Sequence, residues 1–460
     1  MNIRVVLSRS TLVALFSGLL LCIEQPVQAQ TVPAGFTASQ VMGGFSEPVG
    51  FTFDANGRWY VWERGGKVWI VENGVKLSPP LIDLSAEVGG WRDHGLLGFT
   101  LDPNFLTNGK IYLMYAVDRH HLMNFGTGNY NPATNQYYAA TIMRITRYTA
   151  VGPTFNSVDP ASRTVLLGET RKTGAIMTHE SHSTGQLCFG TDGTLLATIG
   201  DGASYNSTDV GSDAGTYFAQ ALTDSIMRPK ENVGALRSQL VDCFNGKLLR
   251  MDPNTGNGIP SNPWYDAADP RAPRSRVWAL GLRNPFRMVK RPGTGSTDPA
   301  AGNPGVFYIG DVGWGTWEDL NVCTEGGQNF GWPLFEGGDA NASYMNALTP
   351  NQDAPNPLFG INGCALQYFR FQDLLKQDTP IHLNGHPNPC DNNVQVPTSI
   401  PHFHHTRPII DWKHGQNISR SMGFNGNTAV TYQLDAQGAP VPGPAFAGNA
   451  SVGGCFISGL

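Results

Sequence analysis

The stretch HESHSTGQLCFGTDGTLLATIGDG, residues 179–202, decides how the chain reads. It holds a histidine-bearing loop, a short apolar run at Leu187, Cys188 and Phe189, a D-G turn at Asp192–Gly193 and a second apolar run to Ile199. Two such runs around a D-G turn predict a β-hairpin. If 187–189 pairs with 194–199, the loop before the first strand lies beside the Gly200-Asp201-Gly202 turn after the second. His182 and Asp201 then share one end of the hairpin. A carboxylate beside an imidazole can fix its tautomer and favour its charged form, as a general base requires. The same residues also suit a loop histidine bonded to backbone and an aspartate in an ordinary turn.

Working outward, the pattern recurs as FTFDANGRWYVWERGG at 51–66 and FTLDPNFLTNGKIYLMY at 99–115, and more weakly as NPGVFYIGDVG at 303–313. Each copy is hairpin-like and ends in a polar turn. Repeated turns of one type favour a β-propeller over a sandwich or barrel. In a propeller the turns at one face converge on the axis, where ligands bind. Segment 203–240 interrupts the pattern and reads as a long surface excursion with a short helix around Phe218 to Met227. Segment 334–400 is rich in Asn, Pro and Gly, with a helical patch near Phe371 to Lys376. Neither reads as a separate domain.

The 460 residues are 40% hydrophobic and only 15% charged, with 55 glycines and 32 prolines, a composition suited to many short strands joined by turns. A net charge of -5 without a Lys/Arg run argues against a nucleic-acid surface or an electrostatic membrane anchor. Arg4 and Arg9 precede an apolar run from Thr11 to Ile23, and V-Q-A at 27–29 offers cleavage after Ala29. Residues 1–29 therefore read as a secretory signal, too short to span a membrane comfortably, and 30–460 as an exported chain without a membrane span. Export leaves Cys188, Cys243, Cys323, Cys364, Cys390 and Cys455, an even set that permits three disulfides. Cys364 and Cys390 bracket one loop-rich segment and are the first pair expected. No C-x-x-C spacing suggests structural zinc, and PHFHH at 401–405 with His414 lacks a recognised ligand spacing.

Six strings in order resemble the soluble quinoprotein glucose/sorbosone dehydrogenase family. They are GLLGFTLDPNF at 95–105, HSTGQLCFGTDG at 182–193 and NGKLLRMDPNTGNGIPSNPW at 245–264, then GLRNPFR at 281–287, GDVGWGTWEDLN at 310–321 and GGQNFGWP at 326–333. The resemblance covers about residues 40 to 333. It implies an all-β, six-bladed β-propeller and oxidation of an aldose or related sugar hydroxyl. Hydride would pass to pyrroloquinoline quinone (PQQ), with calcium (Ca2+) as the second cofactor and an unspecified electron acceptor downstream. By this resemblance His182 is the general base and Asp201 its orienting carboxylate. Arg283 and Asn284 lie beside the quinone, the arginine stabilising charge that grows on its oxygens. The carbonyls of Gly313 and Trp314 match calcium ligands, oxygen donors suited to a hard cation.

The chain departs from the family pattern at Asp93 and His94, where sugar-oxidising members carry glutamine, and at Ser181, where an acidic residue is common. Family members also continue past GGCFISGL at 453–460, a segment that reads as a strand entering a blade. Their last part supplies a lysine and arginines to the quinone, so the final blade is expected to be incomplete here. Two other functions suit the same motifs. One is a calcium-dependent lactonase or hydrolase in which His182 activates water; the other is a non-catalytic extracellular ligand-binding propeller.

Overall fold

An aspartate turn closed by a side chain from a following strand is the repeating device of this fold. In the computed structural model, which describes residues 35, 37–382 and 385–454, β1 (Pro48–Phe53) pairs with β2 (Trp59–Glu63) around Asp54. Asp54 Oδ1 accepts from the backbone N–H of Asn56 and Arg58 at 2.9 and 3.1 Å, and the Tyr60 hydroxyl donates to Oδ2 at 3.0 Å. Strands β3 (Lys67–Glu72), β4 (Val75–Lys76) and β5 (Ile82–Asp83) complete this first sheet.

The second sheet holds β6 (Leu96–Leu101), β7 (Lys110–Ala116), β8 (Thr141–Ala150), β9 (Val158–Leu167) and β10 (Ala175–Met177). Asp102 repeats the device, accepting from Asn104 N and, at 3.1 Å, from the Tyr112 hydroxyl. The hairpin read first from the sequence forms the third sheet: β11 (Thr184–Phe189) and β12 (Leu195–Ile199), followed by β13 (Lys247–Met251) and β14 (Val277–Leu280). Its Asp192 turn is closed by Arg250, whose Nη2 donates to Oδ2 at 2.7 Å with both side chains fully buried. The fourth sheet contains β15 (Pro285–Lys290), β16 (Phe307–Asp311) and β17 (Trp317–Cys323), extended by Ile410–Lys413, Ser419–Asn425 and Thr428–Gln433.

The first strands of successive sheets lie side by side, β1 against β6, β6 against β11, and β11 against β15. Arg287 Nη2 on β15 returns to the Val49 carbonyl on β1 at 2.9 Å. Loops that enter these four strands therefore meet around one line. That convergence places the functional side chains.

The all-β character holds. Among the described residues four sheets of four or more strands are present, and 334–400 spends its Asn-, Pro- and Gly-rich sequence on ribbons with strands of two to six residues. Segment 203–240 is a surface excursion only in its first half, and the expectation is corrected for the second. Ala221, Ile226, Met227, Val233, Leu236 and Leu240 pack into the largest core cluster, although only Phe218–Thr223 forms the expected helix. Cys364–Cys390 is bridged as expected, whereas Cys188, Cys243 and Cys323 are free in separate strands and turns. Burial pushes the Cys243 and Cys323 thiols up to about 11 and about 12.

The helical patch near 371 is shorter than expected, ending at Leu374 before a two-residue strand. No helix among the described residues is long and apolar enough to cross a membrane. The expected leader at 1–29, Cys455 and the last six residues lie outside the described residues.

Candidate active site

His182 stands in the loop that leads from β10 into β11, with a left-handed backbone at φ 57°. Such a conformation is costly for a residue with a Cβ and is kept only where surroundings fix it. Here the fixing contacts come from the turn after β12. Gly202 N donates to the His182 carbonyl at 3.1 Å, and a Cβ at Gly200 would sit 2.3 Å from that same oxygen. Glycine at 200 is thus what lets the two loops close.

Closure brings His182 Nδ1 to 2.9 Å from Asp201 Oδ1. Asp201 Oδ1 also accepts from Ala203 N at 2.9 Å, and its Oδ2 accepts from the Trp332 indole N–H at 2.8 Å. Burial opposes ionisation of Asp201, yet His182, Arg283 and the Ala203 N–H hold its carboxyl below the usual range. Burial and then Arg283 push the His182 imidazole down against the pull of Asp201. The stable arrangement is a carboxylate beside a neutral imidazole. Its Nδ1–H points at Asp201, which leaves the Nε2 lone pair as proton acceptor.

Arg283 forms the second wall. Its carbonyl accepts from Asp201 N at 2.8 Å, and Asp311 accepts from the N–H of Arg283 and of Asn284, the latter at 2.7 Å. Burial raises Asp311 to about 7. The Arg283 guanidinium lies 5.3 Å from the Trp332 ring centroid, with Nη1 donating to the carbonyls of Val312 and Gly313 at 2.9 and 2.6 Å. Its Nε is buried without a protein partner. Asn284, next in the chain, lines a cavity of about 440 Å³ together with Asp93, Ser183, Arg64 and the starts of β1 and β6.

The loop 312–316 forms the third wall. Glu336 Oε1 gathers the backbone N–H groups of Trp314, Gly315 and Thr316 at 2.7–2.9 Å. The Trp314 indole donates to the Tyr205 carbonyl at 2.9 Å and packs edge-on against Trp332 and Tyr344. The sequence-derived residues His182, Asp201, Arg283 and Gly313 are thus in one contact network, Trp314 adjoins it through Trp332, and Asn284 faces the neighbouring cavity.

Sequence reasoning missed Trp332, Asp311, Glu336 and Tyr205. Trp332 sits inside the quoted GGQNFGWP motif and Asp311 inside GDVGWGTWEDLN, so a signal existed for both. Glu336 and Tyr205 lie outside every quoted motif. The histidines at 401–405 take other roles: the His386 ring packs 4.5 and 4.9 Å from His402 and His404, and His414 bonds Glu318 at 2.6 Å. Among the described residues no group of three or more His, Cys, Asp or Glu is placed to hold a metal.

The glucose/sorbosone dehydrogenase family profile matches residues 45–362. The HIPL2 protein of Arabidopsis thaliana is 26% identical over 317 residues, covering 62% of this chain and 40% of that protein. The Hedgehog-interacting protein of Homo sapiens is 28% identical over 267 residues, covering 55% and 31% respectively. Quinoprotein glucose dehydrogenase B of Acinetobacter calcoaceticus is 23% identical over 325 residues, covering 69% and 57%. The chain therefore spans 31–57% of the length of these curated relatives. With the matched region exceeding half of the sequence, the chain belongs to the glucose/sorbosone dehydrogenase family.

Proposed function

We propose that this chain is an exported PQQ-dependent dehydrogenase that oxidises a hydroxyl of an aldose or related sugar. The observation that carries the reading is the buried pair His182 Nδ1–Asp201 Oδ1 at 2.9 Å, which presents a neutral imidazole as base. His182 Nε2 takes the hydroxyl proton of the sugar. Asp201 holds the imidazole tautomer and stabilises the cation that forms, and the Trp332 N–H keeps the carboxylate turned toward the ring. When bound, the quinone supplies the two-electron oxidant for the hydride of the same carbon.

The residues fit such a group through Arg283. Its guanidinium is anchored by two carbonyls, and its buried Nε still lacks a partner, so a donor remains for an oxyanion. Calcium fits less well. The Gly313 carbonyl assigned to it already faces the Arg283 cation at 2.6 Å, so no step is assigned to a metal there. The downstream electron acceptor is left to a panel of dyes. Export is supported by the Cys364–Cys390 bridge together with the leader composition of residues 1–29.

A second reading, an extracellular propeller that binds a partner without catalysis, is favoured by the relative named for interaction with Hedgehog and by His182 and Arg283 being only 3% and 5% exposed. One experiment separates the two. The chain is incubated with PQQ, with and without calcium, and quinone absorbance and sugar-dependent dye reduction are followed. A quinone spectral shift with dye reduction that is lost in His182→Ala supports the dehydrogenase. Lactone hydrolysis without quinone would point to a hydrolase, and neither activity in a folded chain would leave the binding propeller.

A further inference from the structure

Beyond His182 the surface continues as a line of exposed aromatic rings. The Tyr205 ring lies 6.3 Å from the His182 ring and 4.8 Å from that of His179. Its hydroxyl donates to Glu180 at 2.8 Å, and Glu180 pairs with Arg92 at 3.4 Å. The Arg92 guanidinium reaches to 6.0 Å from the Tyr138 ring. Tyr138 and Tyr137 in turn rest on Trp91, at centroid distances of 4.7 and 6.1 Å, the second nearly parallel. Trp91 is itself held from below by His94, stacked at 4.5 Å.

The three tyrosines are open to solvent: Tyr138 is 56% exposed, Tyr205 39% and Tyr137 38%. Exposed rings rimmed by polar groups mark ligand-binding surfaces more often than chance packing. Backbone strain points to the same place. Arg92 and Tyr138 hold φ values of 50° and 53°, as His182 does at 57°, so three non-glycine residues around one rim adopt the left-handed conformation. The loops that carry them come from three separate stretches of chain and are tied together, for example by Asp93 N donating to the Glu180 carbonyl at 3.3 Å.

We infer that this rim binds a neutral oligosaccharide chain, several rings long, whose terminal unit enters the His182 site. The inference rests on the sugar reading proposed above and names its substrate class. Flat ring faces match the apolar C–H faces of sugar rings, and tyrosine and tryptophan supply such contact at low entropic cost. Arg92 and Glu180 neutralise each other as an ion pair and offer both donors and an acceptor, which suits hydroxyls and gives no attraction to a polyanion. Trp91, fixed beneath the rim, makes the platform rigid before the ligand arrives.

The test is binding without turnover, so its outcome is independent of any quinone. The full chain, free of quinone, is titrated with neutral gluco-, xylo- and manno-oligosaccharides of one to six rings, read by calorimetry and tryptophan fluorescence. Affinity is expected to rise about tenfold or more from one ring to four in at least one series. Tyr138→Ala and Tyr137→Ala should each remove most of that gain while the melting temperature stays unchanged, and Tyr138→Phe should restore it. Affinity independent of ring number in every series, equal binding by Tyr138→Ala and the parent, or preference for a sulfated glycan would each overturn the inference. Dye reduction failing while length-dependent binding persists would remove the dehydrogenase reading and leave the rim standing.

Discussion

At residue 182 a strained backbone, a carboxylate partner and a buried guanidinium all act on one imidazole. Burial first, and then Arg283, outweigh the upward pull of Asp201 and lower the imidazole pKa, so the base is ready at lower pH than a free histidine would be. Sugar oxidation measured as kcat/KM should rise with pH as His182 loses its proton, with an inflection below the ordinary value of about 6.5 and a plateau above it. His182→Ala should lower the rate by about 10²- to 10⁴-fold. In Asp201→Asn the upward pull on the imidazole disappears, so the inflection should move further down while the rate falls. An unmoved inflection would show that Asp201 does not act through His182. This pair was legible in the sequence because both residues flank one hairpin, 19 positions apart. Trp332, which fixes the other carboxylate oxygen, lies 131 positions from Asp201, and no local pattern could link them.

Within the fourth sheet, Asp311, Asp319 and Asp411 stand opposite one another on three adjacent strands. Opposed residues of an antiparallel pair face the same side, and like charges there repel. Asp411 is relieved by Arg420 at 2.6 and 2.9 Å, and Asp311 by backbone donors, but Asp319 Oδ1 is buried without a partner. Burial, with Asp411 and Asp311 nearby, holds Asp319 well above the usual carboxylate range. A carboxyl raised in the fold binds its proton more tightly there than in the unfolded chain. Its cost to stability is therefore absent below about pH 4 and grows as pH rises above it. Asp319→Asn should raise the melting temperature at pH 7 and change it little near pH 4, and an equal shift at both values would contradict the argument. The hairpins carry the opposite lesson. Asp54, Asp102 and Asp192 each sit in a recognisable turn, and the residue that closes each comes from the next strands, so hairpin positions followed from the sequence.

At the scale of the molecule, the core depends on residues that carry no periodic signal. Leu236 lies in the short helix Gly234–Gln239, is 1% exposed, and belongs to the cluster that also holds Tyr60, Leu96 and Trp332. Leu236→Ala should cost about 2–5 kcal/mol, seen as a lower denaturant midpoint, whereas a surface loop would register almost nothing. Arg237 beside it explains why the segment turns inward. Its guanidinium donates to the carbonyl of Gly202 and the hydroxyl of Thr178 at 2.9 Å, closing the backbone that frames Asp201.

The sequence by itself determined the β character, the hairpins, the Cys364–Cys390 bridge and the meeting of His182 with Asp201, because each depends on turn chemistry or on residues close along the chain. Only the tertiary structure decided the burial of the second half of 203–240, the number of sheets among the described residues, the hold of Trp332 on Asp201 and the aromatic rim from Tyr205 to Tyr137. Those features join residues from loops far apart in sequence, and they exist only once the first strands of successive sheets have gathered around one line.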